Sequence, residues 1–170
     1  MPEALAVINP KRPDCAYPNK DLAGAGVALK LVQALCQRTN HKEWLPGFIK
    51  LAALGTLADI VPLLGENRVI AKLGLEQLSQ ARHTPGLRAL LETTGLLGES
   101  ITGFHVAFRL APRLNAAGRM STPDLATKLL LLTDDDQTEE ARVIAEKLEL
   151  ENVRRRQEEA ETLTAARRQV

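Results

Sequence analysis

The chain has 170 residues, 45% of them apolar but only 3% aromatic, so leucine and alanine must fill its core, and both are strong helix formers. A formal net charge of +1 supplies no global field toward nucleic acid, so any such contact must be local. No apolar run reaches the length of a bilayer span, and Lys11-Arg12 follows too short an apolar stretch for a signal peptide. Cys15 and Cys36 form no metal-ligand pattern, which completes the expectation of a cytoplasmic chain with reduced thiols and no membrane partner.

Ala4-Leu5-Ala6-Val7-Ile8, stopped by Asn9-Pro10, reads as a buried β-strand ending in a turn. A buried strand needs ladder partners on both sides and no second strand pattern follows, so the chain is expected to begin inside a domain. Pro10, Pro13 and Pro18 keep residues 10–23 irregular. Leu22-Ala23-Gly24-Ala25-Gly26 then opens a helix through Val27, Leu31, Leu35 and Cys36. Its two glycines lack the rest of a phosphate-binding fingerprint and point to close helix packing.

The next helix runs from about Pro46 to Leu64, and from Leu51 onward it is apolar or small except for Asp59. A helix apolar on nearly all sides belongs in a core, where an ionised carboxylate needs a cation, an arginine or backbone donors. Asp59 is therefore either a divalent-metal ligand or a capping residue where the helix breaks before Pro62. Gly65-Glu66-Asn67 makes a turn, and an amphipathic helix follows through Val69, Leu73, Leu75 and Leu78. Pro85-Gly86 starts a shorter helix through Leu87, Leu90 and Leu91, closed by Gly95.

Thr102 to Phe108 leads into Arg109-Leu110-Ala111-Pro112-Arg113-Leu114-Asn115-Ala116-Ala117-Gly118-Arg119-Met120, with arginines, an amide and a glycine in an apolar context. Arginine there either grips a phosphate or carboxylate bidentately, with Asn115 adding a donor, or pairs with carboxylates of the fold, Asp59 among them. Thr122-Pro123-Asp124 is a helix start. Asp134-Asp135-Asp136 reads as solvated capping residues rather than a metal site. From Gln137 to Val170 a single long helix carries sparse apolar positions (Ile144, Leu148, Val153, Leu163) and dense charge, so it spans solvent or bridges domains. Its Arg154-Arg155-Arg156 run reads as a solvated face, and a helix of this kind at the end again suggests part of a larger protein.

Three motifs resemble one family. Ala6-Val7-Ile8-Asn9-Pro10, Tyr17-Pro18-x-Lys20 and Leu22-Ala23-Gly24-x-Gly26-Val27-Ala28 resemble the segment after the Asp-His-His motif of the RecJ family of DHH phosphoesterases. Ala53 through Leu63 is similar to that superfamily's fourth metal-binding motif, and Pro112 through Met120 to a further RecJ signature. Leu150 through Arg156 resembles the start of the helix joining the two RecJ core domains. The family's first three motifs, its C-terminal DHH-associated domain with a Gly-rich substrate motif, and its oligonucleotide-binding fold have no counterpart here, and none of His41, His83 or His105 stands in an Asp-His-His setting.

The resemblance implies an α/β DHH phosphoesterase domain, of which this segment is mostly α-helical with one N-terminal β-strand. Residues 1–64 would be the C-terminal part of that domain, residues 65–136 a helical remainder, and residues 137–170 the connecting helix. It implies 5′ to 3′ hydrolysis of single-stranded DNA in repair and recombination, with Mn²⁺ or Mg²⁺ as cofactor. Asp59 carries over as catalytic metal ligand, and Arg113, Asn115, Gly118 and Arg119 as substrate-binding residues. One carboxylate cannot hold a two-metal centre, so the chain alone is expected to be inactive. The expected partners are single-stranded DNA and either the missing N-terminal DHH half or a second copy. Two other readings stand beside this one: an oligoribonuclease or cyclic-dinucleotide phosphodiesterase of the same superfamily, and a non-catalytic nucleic-acid-binding or scaffold protein on a DHH-derived fold.

Overall fold

The structure, a computed structural model, describes residues 3–80, 82–120 and 124–168, without the side chains of Arg119 and Met120. The chain divides into two units, one of Met1–Leu78 with Ile101–Gly103 and one of Ser79–Ser100 with Phe104–Val170.

The first unit is built on α1 (Gly24–Thr39), α2 (Leu45–Ala58, after a 3₁₀ turn at Lys42–Trp44) and α3 (Gly65–Leu78). Helix α2 packs on both neighbours. Leu22, Leu29, Ala52, Ala53 and Ile70 are buried together, with Tyr17, Val27 and Ile49 against them. Small residues set the approach: a Cβ on Gly74 would overlap Ala53 and the Ile49 carbonyl, and one on Gly55 would lie 2.5 Å from the Ala25 Cβ. Of the expected glycine pair, Gly26 is the packing residue, with Leu22 Cδ2 3.1 Å from where its Cβ would stand, whereas Gly24 faces open space.

Three expectations are corrected in this unit. No strand forms among the described residues, and Ala4–Ile8 lies exposed, although the Asn9-Pro10 turn is present with Lys11 N–H donating to Asn9 Oδ1 at 2.9 Å. The regular elements among the described residues are therefore all helices, because an isolated apolar run has no ladder to join. The central helix ends at Ala58, not Leu64, and Asp59 is exposed rather than held in an apolar core. Helix α3 buries Asn67, Ile70, Ala71, Gly74 and Leu78, a regular stripe of helical period, while Val69 and Leu73 are exposed.

The second unit holds α4 (Pro85–Thr93), a short α5 (Gly103–His105, shared with the first unit through Gly103), a π-helical turn (Val106–Leu110), α6 (Ala111–Met120), α7 (Asp124–Leu131) and α8 (Thr138–Arg167). Helix α8 packs on α4, α6 and α7. Leu90, Leu91, Leu96, Leu110, Leu129 and Leu148 are fully buried there, each stabilising by roughly 1.5–3 kcal/mol against exposure. Gly95 (φ +62°) closes α4 as expected, in a Schellman turn where Leu96 N–H donates to Leu91 O at 2.8 Å and Gly95 N–H to Glu92 O at 2.9 Å. The expected start of α7 at Thr122-Pro123 lies outside the described residues, which resume at Asp124. Helix α8 has two halves: Ala141, Ile144, Ala145, Leu148 and Asn152 are buried, and beyond Asn152 nearly every residue is exposed, Val153 and Leu163 included. No helix among the described residues is long and apolar enough to cross a membrane.

Candidate functional site

Asp59 occupies the C-cap of α2 in near-helical geometry (φ −85°, ψ −2°), with its N–H donating to Gly55 O at 3.0 Å. Its carboxylate makes no hydrogen bond or ion pair among the described residues. The capping role weighed from the sequence has the Asp59 side chain accept from free N–H groups where the helix breaks before Pro62, and no such bond forms among the described residues. A carboxylate at a helix C-terminus instead meets the negative end of the macrodipole, which disfavours it by a few tenths of a kcal/mol or more. The next residue, Ile60, stands in the left-handed region at φ +52° and is 88% exposed. A β-branched residue there costs of order 1–3 kcal/mol, and such strain concentrates where a site requires it.

One neighbour, Asn67, holds this loop, and the residue before it, Glu66, ties α3 to Tyr17 and α1. Asn67, fully buried on α3, donates through Nδ2 to Pro62 O at 3.0 Å and to Asp21 O at 2.8 Å. Glu66 beside it takes the Tyr17 hydroxyl between its two oxygens, at 2.7 and 2.8 Å, and forms an ion pair with Lys30 of α1. Lys30, then the Tyr17 hydroxyl, hold the Glu66 carboxyl below its ordinary pKa, and Glu66 raises that of Lys30. Burial first, and the carboxylate second, push the Tyr17 hydroxyl up. The sequence reading treated Gly65-Glu66-Asn67 as a plain turn and missed this network. The signal that finds it is spacing, since Asn67 falls on the same helical stripe as Ile70, Ala71 and Gly74.

In the second unit Arg109 and Arg113 make contacts within the fold. Arg113, whose side chain is 15% exposed, grips Glu149 of α8 with Nε on one oxygen and Nη2 on the other at 3.0 Å, and gives Nη1 to Arg109 O at 2.5 Å. Arg109 in turn donates to the Thr94 carbonyl at the end of α4. The carboxylate partner of Arg113 is thus Glu149 and not Asp59, which lies in the other unit. The Arg109 carbonyl belongs to the π turn, where the regular helical ladder shifts, and a side-chain donor there fits a place where such turns need one. Asn115 and Gly118, one helical turn apart, are exposed, and the Asn115 amide has no partner among the described residues. Arg119 lies on α6, with its side chain outside the described ones.

Among the described residues no three His, Cys, Asp or Glu side chains are grouped as metal ligands would be. The residues present therefore do not make a whole divalent-metal centre, although the exposed, unengaged Asp59 has the chemistry of one ligand.

No protein-family model matches the chain. It is 39% identical over 170 residues to the single-stranded-DNA-specific exonuclease RecJ of Dickeya dadantii, covering 94% of this chain and 29% of that protein. It is 45% identical over 141 residues to the RecJ of Bacillus subtilis, covering 82% of this chain and 17% of that one. Among solved structures it is similar to RecJ of Thermus thermophilus in complex with Mn²⁺, with a TM-score of 0.77 and 38% identity over 92% of this chain and 22% of that one. The Mg²⁺ complex of the same protein matches with a TM-score of 0.74 and 39% identity, over 90% of this chain and 23% of that one. The chain thus spans less than a third of the length of these relatives.

Proposed function

We propose, from the premise that this chain belongs to the RecJ family and matches one stretch of its members, that it works as part of a metal-dependent exonuclease degrading single-stranded DNA from 5′ to 3′. The work served is DNA repair and recombination, and a cytoplasmic setting suits its free thiols, Cys15 and Cys36. The observation that carries the reading is Asp59: a carboxylate with no protein partner among the described residues, beside a strained Ile60, on a loop anchored from a buried asparagine. Asp59 supplies one anionic ligand for Mn²⁺ or Mg²⁺, the ions bound in the Thermus relatives. With its other ligands in place, a divalent ion held in part by Asp59 would supply Lewis-acid chemistry for phosphodiester hydrolysis. The remaining ligands come from parts of the protein beyond the described residues.

Arg113 holds α6 against α8, and the exposed Asn115 and Gly118 of α6, with Arg119 following them in sequence, are the contacts for the strand of DNA.

The test replaces the matching stretch of the Dickeya dadantii relative with this chain. The expected chimera degrades 5′-labelled single-stranded DNA with Mn²⁺ and loses that activity on Asp59→Asn. A folded chimera that is inactive, or whose activity survives Asp59→Asn, contradicts the reading. Cleavage of cyclic dinucleotides without cleavage of DNA would replace it with the phosphodiesterase alternative.

A further inference from the structure

We infer that Asn67 is a positioning residue for Asp59, its buried carboxamide holding the loop that presents the metal ligand. The inference deepens the reading of Asp59 as a ligand and rests on it.

Asn67 has no exposed surface, and its stripe on α3 otherwise carries Ile70, Ala71, Gly74 and Leu78. An apolar residue would fill that place without loss, whereas a buried amide costs about 1–3 kcal/mol wherever it lacks partners. The Asn67 Oδ1 does lack one, so the side chain is not the choice that core stability alone would favour. What it offers is two donors. One Nδ2 bond reaches Asp21 O, just ahead of α1, and the other reaches Pro62 O, three residues after Asp59. Packing adds little hold on this loop, since Asp59, Ile60, Pro62, Leu63 and Leu64 are all exposed.

The left-handed Ile60 explains why a hold is needed. A strained β-branched residue relaxes unless its surroundings over-determine it. Here the chain is fastened on both sides, by Asp59 N–H to Gly55 O before Ile60 and by Asn67 to Pro62 O after it. With the second fastening gone, Ile60 can return to an ordinary conformation and turn the Asp59 carboxylate away from its present direction.

The experiment uses the ¹⁵N-labelled full chain, as wild type, Asn67→Leu and Asp59→Asn, with MnCl₂ as the only added probe. For Asn67→Leu we expect the fast backbone motion of the Ile60, Val61 and Leu63 N–H groups, read from ¹⁵N relaxation, to rise well beyond any change in α1 and α2. We also expect the Mn²⁺ line broadening centred on Asp59 in the wild type to weaken or spread in this variant. A rise shared equally by the helices, or no rise, overturns the inference, because Asn67 then serves only the fold. If Asn67→Leu fails to fold, the wild type decides alone. Slow exchange of the Asn67 carboxamide protons, with cross-peaks to Asp21 and Pro62, supports the fastening, and free exchange overturns it. The two claims separate cleanly. Broadening that is unchanged in Asp59→Asn defeats the metal-ligand reading and this inference with it. Broadening lost in Asp59→Asn but untouched in Asn67→Leu defeats this inference alone.

Discussion

The two motif-bearing regions use their charged residues in opposite ways. In the first unit the Ala53–Leu63 motif ends in a carboxylate that no described residue engages, displayed on a strained and fastened loop. In the second, the Arg109–Met120 motif turns Arg113 onto Glu149 and Arg109 onto Thr94, and leaves an amide and a glycine exposed. The difference teaches that a motif's charge does not by itself mark a ligand contact. What separates the two is whether the protein itself supplies the counter-charge.

The comparison breaks first at Asp59. In the chimera with the Dickeya dadantii relative, Asp59→Asn should lower nuclease activity by about a hundredfold or more, since a metal ligand is lost. The same change in this chain should leave stability within about 0.5 kcal/mol, because the side chain is exposed and unengaged. A melt that shifts as strongly as activity would make Asp59 structural. Arg113→Ala should behave in the opposite sense, costing about 2–3 kcal/mol in chemical denaturation of the chain by leaving Glu149 half-buried without its partner. Arg113→Lys keeps the charge, loses the bidentate grip and should fall between.

Smaller effects sharpen the contrast. Ile60→Gly should stabilise the isolated chain by about 1 kcal/mol, because glycine adopts φ +52° without steric cost and the exposed isoleucine contributes little burial. If that loop is built for a ligand, the gain in stability comes with weaker metal binding in the chimera. The smallest effect is the pH response of the Tyr17–Glu66–Lys30 cluster. Glu66 is shifted down by Lys30, so its contribution is present above the ordinary carboxylate range and fades as pH falls through the lowered value. Lys30 is shifted up, so its share is complete below the ordinary lysine range and fades as pH rises through the raised value. Glu66→Gln should flatten the acid limb of thermal stability measured against pH, and an unchanged limb would show that other carboxylates set it.

Much of the helical order was legible in the sequence, because punctuation and period agree there: Pro85 opens α4, Gly95 closes it, and the stop at Asn9-Pro10 is where it was expected. The strand at Ala4–Ile8 was not borne out, since strand formation depends on a partner that no local pattern supplies. Burial of Asp59 was misread for a related reason. An apolar run from Leu51 to Leu64 resembles a core helix, but a left-handed residue at Ile60 and a proline at 62 turn its last third into an exposed loop. Glu149 and Asn67 were out of reach for the site, because one lies 36 residues from the arginine it pairs with and the other presents only an ordinary amide in a turn-like triplet. Composition and period show which face is inward; they do not show which buried polar group holds which distant loop.

The most direct test of the contrast is Mn²⁺ calorimetry on the chimera, as wild type, Asp59→Asn and Arg113→Lys. A carboxylate displayed for a metal, set against an arginine engaged by the fold, predicts that Asp59→Asn weakens Mn²⁺ binding by about tenfold or more while Arg113→Lys leaves it within about twofold. Equal binding by Asp59→Asn and wild type would contradict the account, and so would Mn²⁺ binding lost through Arg113→Lys alone.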